Sequence, residues 1–301
     1  MGIAVSRVRL YCFKVVDPAV GSADPQRTIL AKRTSMRSLM NRFRLTSVLL
    51  ALALLPLPAW SKSPPTPSDK DLAEITARGI LLAGYDQAAW HATDAVQATH
   101  PPDGKVQRYI ARKTATGWIV DFGRFNPSND GFLVAYEATQ TGDTTRFEVT
   151  RFDPERQDAD FDLVAAKAMD LARKDFGGAN RPYNIAVLPA GPEGLFVYLY
   201  PAQVKSGVYP YGGDARYLIS PDGASILAKR QMHKSVLESI PANLPSGAKV
   251  ASGYHNHVLT DLPEDTDVFL VLTRQPRIPE YVGAGGHIFV IATDGTIKIG
   301  K

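Results

Sequence analysis

The side chains best suited to chemistry stand together in Gly253-Tyr254-His255-Asn256-His257-Val258-Leu259-Thr260-Asp261-Leu262-Pro263-Glu264-Asp265-Thr266-Asp267. Residues two apart on a strand project to the same face, so a strand over residues 250–259 sets the imidazoles of His255 and His257 side by side. Two neutral imidazoles and one carboxylate fill three positions around zinc and leave the fourth for water. The acidic run supplies that carboxylate at Asp261, Asp265 or Asp267. The alternative for the same residues is a pair of solvent-facing imidazoles on a half-buried strand, followed by an ordinary acidic turn.

Two further groups compete for attention. In Tyr85-Asp86-Gln87-Ala88-Ala89-Trp90-His91-Ala92-Thr93-Asp94, helical spacing puts His91 and Asp94 on one face, where a carboxylate can orient an imidazole as a base. No serine, threonine or cysteine stands nearby in a context that such a base would activate, so a pair that docks the helix on a sheet serves equally well. Phe196-Val197-Tyr198-Leu199-Tyr200 with Tyr209-Pro210-Tyr211 either lines a small-ligand groove or covers the edge of a core. Gly283-Ala284-Gly285-Gly286 leads into a strand and not a helix, which excludes a phosphate cradle.

The stretch from His255 to Asp265 resembles the site of JAMM-type zinc hydrolases, a His-x-His pair followed by a Ser-x-x-Asp segment. That resemblance implies zinc held by His255, His257 and Asp265, with an upstream glutamate as general base, for which Glu193 is the candidate. Leu262 stands at the serine position, and the similarity covers about 15 residues. Separately, Tyr85–Ala95, Gly212–Arg216 and Asp267–Thr273 are similar in phrasing to a group of bacterial exported proteins. That second resemblance implies export and a shared fold and supplies no catalytic residues.

The elements that must position these groups form an α+β pattern: antiparallel sheet with a long N-terminal helix and one central helix. Ser68 is an N-cap for a helix carrying Leu72, Ile75, Leu82, Tyr85, Ala89 and Val96 at helical spacing; Gly79 and Gly84 kink it or split it in two. Period-two runs at 106–111, 117–122, 132–140 and 145–152 predict a meander, and the acidic residues 153–160 a solvated loop. The clearest helix covers 161–176 and stops at Gly177-Gly178. Strands follow at 184–188, 195–200, 215–220, 225–229, 250–259, 268–273, 288–292 and 296–299. The connections 201–213 and 241–247 are long and rich in proline and glycine. Residues 68–301 make one body or two lobes, 68–180 and 181–301.

Before this body, Arg42 and Arg44, the apolar run 45–57 and Ala59-Trp60-Ser61 have the order of a secretory signal peptide. The run is about 13 residues, short of the roughly 20 that span a bilayer. Residues 1–61 are therefore expected to be leader, with translation starting at Met36 or Met40, and 62–67 a proline-rich linker. The leader holds nine of the 34 basic residues and two of the 30 acidic ones, so the remainder has 25 and 28 and a net charge of −3. The basic pI belongs to the leader, and nucleic acid is not an expected partner. The single cysteine, Cys12, lies there too, which removes disulfides and thiol chemistry from the body. The expectation is an exported soluble protein of the bacterial periplasm or exterior, with no membrane span after cleavage. It binds an envelope protein or small ligand without a cofactor, or it is a zinc-dependent hydrolase.

Overall fold

A computed structural model describes residues 67–239 and 249–300. The expected leader, Cys12, nearly all of the expected linker and the 241–247 connection lie outside the described residues. In chain order the elements are α1 (Asp69–Gln97), β1 (Arg108–Lys113), β2 (Trp118–Phe125), β3 (Phe132–Gln140), β4 (Phe147–Asp158), α2 (Phe161–Phe176), β5 (Tyr183–Pro189), β6 (Leu195–Pro201), β7 (Tyr209–Gly212), β8 (Ala215–Ile219), β9 (Ile226–Gln231), β10 (Val236–Ser239), β11 (Gly253–Asn256), α3 (Asp265–Thr273), β12 (Glu280–Ala284), β13 (His287–Ile291) and β14 (Ile297–Ile299). The class is α+β. Among the described residues no helix is long and apolar enough to cross a membrane.

Three four-stranded sheets carry the fold, ordered β1-β2-β3-β4, β5-β6-β8-β9 and β11-β12-β13-β14, with β7 and β10 forming a two-stranded ribbon. All pairings are antiparallel except β11 with β12. One core lies between α1 and the first sheet, and a second between α2 and the inner faces of β5, β6 and β8; both draw on residues either side of position 180. A third joins Leu72 and Ile75 of α1 to Val268 and Val271 of α3 and the strands β12 to β14.

Helix α1 starts where the Ser68 hydroxyl accepts the Asp71 amide at 3.1 Å. It runs unbroken through both glycines. A Cβ at Gly79 would lie 2.4 Å from Val268 and 2.7 Å from the Asp265 carbonyl, and one at Gly84 2.8 Å from Trp118. The glycines therefore let α3 and β2 approach the helix. Their helix-breaking tendency, about 1 kcal/mol each, is overridden by that packing.

Two expectations fail for tertiary reasons. Residues 153–158 continue β4, because Glu155 meets Arg124 of β2 and Lys105 of the loop before β1, while Arg156 meets Asp121 of β2 and Glu137 of β3. Residues 268–273, rich in valine and leucine, form α3 instead of a strand. The Glu264 amide donates to the Asp267 carboxylate at 2.7 Å at its start, and Val268 and Val271 pack on α1. The strands β7, β10 and β12 were not anticipated; the first two are four-residue pieces, and β7 carries a proline.

Candidate metal centre

Four side chains from three parts of the chain converge below the end of the second sheet. His233 lies two residues past β9, where Met232 is buried and its amide bonds the Asp214 carbonyl at 3.1 Å. His255 faces inward from β11. His257 extends the β11–β12 ladder by one bond, its amide donating to the Gly283 carbonyl at 2.8 Å. Asp267 is the third residue of α3. The ligating atoms of His233, His255, His257 and Asp267 all lie within 4.8 Å of one another.

The protons on these groups follow from their partners. His257 Nδ1 is 3.0 Å from the Leu262 carbonyl, which can only accept, so that nitrogen carries hydrogen. His233 Nδ1 faces the Asp214 carboxylate at 2.7 Å, and His255 Nδ1 faces the Glu280 carboxylate at 2.9 Å. With each Nδ1 donating outward, each neutral ring turns a bare Nε2 inward. His233 Nε2 and His257 Nε2 are 3.0 Å apart, and His255 Nε2 and His257 Nε2 3.3 Å. Asp267 stands 3.1, 3.0 and 3.1 Å from the nitrogens of His233, His255 and His257. Four lone-pair donors face one another with no hydrogen among them in the neutral rings.

Only a cation or added protons make that arrangement favourable. Without a metal, burial opposes charge on His233, but Asp267 and Asp214 outweigh it and raise its pKa to about 11. Burial likewise opposes charge on His255, while its bonds to Asp267 and Glu280 raise it to about 9. Asp267, despite complete burial, is held well below the usual carboxylate range by His233 and the other two imidazoles. Bonds of 2.0–2.1 Å in a tetrahedron around zinc put ligand atoms about 3.3 Å apart, close to the five contacts of 3.0 to 3.3 Å within the 4.8 Å span of the cluster.

The predicted residues divide. His255 and His257 come together as strand parity implies. The carboxylate beside them is Asp267, not Asp265. These residues open a helix instead of a turn, and at about 100° per residue two positions apart face nearly opposite ways. Asp265 accepts from Arg78 at 3.0 Å and Tyr198 at 2.8 Å and is paired with Arg216. Glu193 is exposed in the turn between β5 and β6, beside the Leu195–Ile219 rung, whereas Asp214 and His233 lie beyond the Ala215 end. Strand rise puts the rungs at those two ends about 13 Å apart, with Glu193 beyond one and the cluster beyond the other. His91 and Asp94 sit near the end of α1, outside the cluster, with the His91 ring stacked on Trp90 at 4.5 Å. Tyr198 and Tyr200 are buried, bonded to Asp265 and Asp86, and Tyr211 lies against the His255 ring at 5.4 Å.

His233 is the residue that sequence reasoning missed. A signal for it existed in the Asp222-Gly223 turn, about which the hairpin pairs Ala215 with Gln231 and so brings Asp214 near His233. Comparison with protein-family models, curated proteins and solved structures finds no match to this chain.

Proposed function

We propose that this chain is an exported metal-holding protein whose buried centre, His233, His255, His257 and Asp267, takes one divalent transition metal, zinc foremost. The observation that carries this reading is the convergence within 4.8 Å of three imidazole nitrogens and a carboxylate, with outer partners that leave each Nε2 bare in the neutral ring. Imidazole and carboxylate together suit zinc and its neighbours in the first transition row, and the absence of thiolate from the body disfavours copper(I). Export rests on the signal-like leader, and a bound envelope component or small ligand remains part of the proposal.

The metal's role in this reading is to hold the fold. Four protein donors complete a tetrahedral zinc, as structural sites do, whereas a hydrolytic zinc keeps a position for water. The metal ties the end of β9, the β11 segment and α3 to one point. Glu193, the base that a hydrolase reading needs, belongs to the far end of the sheet. The test is a zinc titration of the metal-free body against a chromophoric chelator. One equivalent bound by the parent chain and none by His255→Ala supports the proposal; no binding by the parent chain refutes it.

A further inference from the structure

The His255 side of the cluster is built outward through two more layers. Glu280, 1% exposed, spends one carboxylate oxygen on His255 Nδ1 and the other on Arg274 Nη1, at 2.9 and 2.7 Å. Arg274 is itself 3% exposed, and its Nη2 donates to the carbonyls of Ile278 and Pro279 at 2.6 and 3.1 Å. Thus one planar guanidinium grips three acceptors at fixed angles, something a lysine ammonium does not reproduce. Arg274 follows directly on α3, the helix whose first turn carries Asp267. The opposite strand is shaped to admit this arrangement: Gly253 pairs with Glu280, and a Cβ at Gly253 would fall 1.9 Å from Glu280 Oε2 and 2.9 Å from Arg274 Nη1. The chain keeps open, at residue 253, the space that the carboxylate and guanidinium occupy.

We infer that Arg274 is a positioning residue of the metal centre, acting through Glu280 to hold His255 with hydrogen on Nδ1 and a bare, correctly aimed Nε2. The inference rests on the reading of the four-residue cluster as a metal site. Its physical content is that a buried carboxylate needs a fixed partner to stay oriented, and that an oriented carboxylate fixes the tautomer and the aim of a ligating imidazole. Because Asp267 and Arg274 sit at opposite ends of α3, the helix presents one ligand directly and aims another from behind.

The experiment measures zinc affinity by chelator competition for the parent chain, Arg274→Gln, Glu280→Gln and Gly253→Ala, with melting curves of the metal-free and zinc-loaded forms. Arg274→Gln is expected to weaken zinc about 10–100-fold at unchanged 1:1 stoichiometry. Glu280→Gln should match it, and the double variant should lose little more, since both act on one imidazole. Gly253→Ala reaches the same defect by displacing Glu280 and Arg274 without changing either residue, and it stands in if Arg274→Gln fails to fold. A purely structural role for Arg274 would lower both melting curves alike and leave zinc affinity unchanged. The ring-nitrogen NMR shifts of His255 supply a second readout: the parent chain should show hydrogen fixed on Nδ1, and Arg274→Gln a mixture of tautomers. Unchanged affinity in both Arg274→Gln and Gly253→Ala overturns the proposal. Failure of the parent chain to bind zinc overturns instead the metal reading beneath it.

Discussion

Asp265 and Asp267 are two residues apart on the first turn of α3, both fully buried, and their surroundings differ in kind. Asp265 looks toward α1 and the second sheet, where Arg78, Arg216 and Tyr198 meet its carboxylate. Every charge there is answered from within the chain. Asp267 looks the other way, toward three imidazoles whose outer nitrogens are already committed to Asp214, Glu280 and Leu262. Among the described residues no arginine or lysine bonds it. Buried polar groups are ordinarily satisfied, and a cluster that is all acceptor on its inner side calls for something from outside the sequence. The same helical turn therefore teaches how to separate a structural ion pair from a binding site: count the donors, not the charges.

The sharpest way to break this comparison is to exchange the two aspartates for asparagine one at a time. Asp267→Asn should abolish stoichiometric zinc binding in a chelator competition, an effect larger than the about 10–100-fold cost of altering an outer partner. Asp265→Asn should keep one zinc per chain and lose stability instead, by about 1–3 kcal/mol in denaturant unfolding, because the partly buried Arg78 and Arg216 lose the carboxylate they share. Loss of zinc in Asp265→Asn with retention in Asp267→Asn would invert the assignment.

Chelation comes next in size. Zinc present at about a thousand times its dissociation constant stabilises the folded state by about 4 kcal/mol. For a body of this length that corresponds to a melting-temperature fall of about 10 °C when the metal is stripped, read by circular dichroism. The fall should also depend on pH. The metal-free pKa values of His233 and His255, about 11 and about 9, exceed the ordinary 6.5. Protonation of the cluster therefore stabilises the metal-free fold fully below about pH 6.5, and that contribution is lost as pH rises through 9 to 11. Zinc must displace those protons, so its affinity climbs over the same range. The gap between zinc-loaded and metal-free melting temperatures should accordingly widen from pH 6 to pH 9; a gap that narrows would contradict the protonation scheme.

The smallest effect concerns a third buried carboxylate. Asp162 is pushed up to about 8 by burial and by neighbouring Asp121, with Arg112 opposing. Its proton is retained in the fold and released by the unfolded chain above about pH 4, so its contribution declines as pH rises from about 4 to 8. Asp162→Asn should raise stability by about 1 kcal/mol at pH 8 and hardly at all at pH 4, as followed by thermal melts.

Much of the scaffold was legible because local signals and tertiary packing agree. Strand β3 and helix α2 fall where periodicity places them, with Phe161 and Phe176 as the helix ends. Where they disagree, packing wins: Gly79 admits α3, and Val268 and Val271 serve a helix although their type favours strands. That one misread element also accounts for the choice of carboxylate. In a turn Asp265 and Asp267 are near-equivalents, whereas in a helix they are divided between two sides of the molecule. His255 and His257 were legible from strand parity alone. His233 was not, since the Asp222-Gly223 turn brings it only to Asp214, while its meeting with His255 and His257, 22 and 24 residues further on, depends on the placement of β11, which no local pattern encodes.

The central claim is that the inner side of this cluster is a metal site, where a cation takes the place of the protons that the metal-free cluster holds. Its most direct test is elemental analysis of the body, purified without a histidine tag and exchanged into metal-free buffer. The account predicts one equivalent of a divalent transition metal per chain, zinc foremost, retained through exchange and lost in His233→Ala. A folded protein that carries no such metal, and takes up none after exposure to zinc, would contradict it.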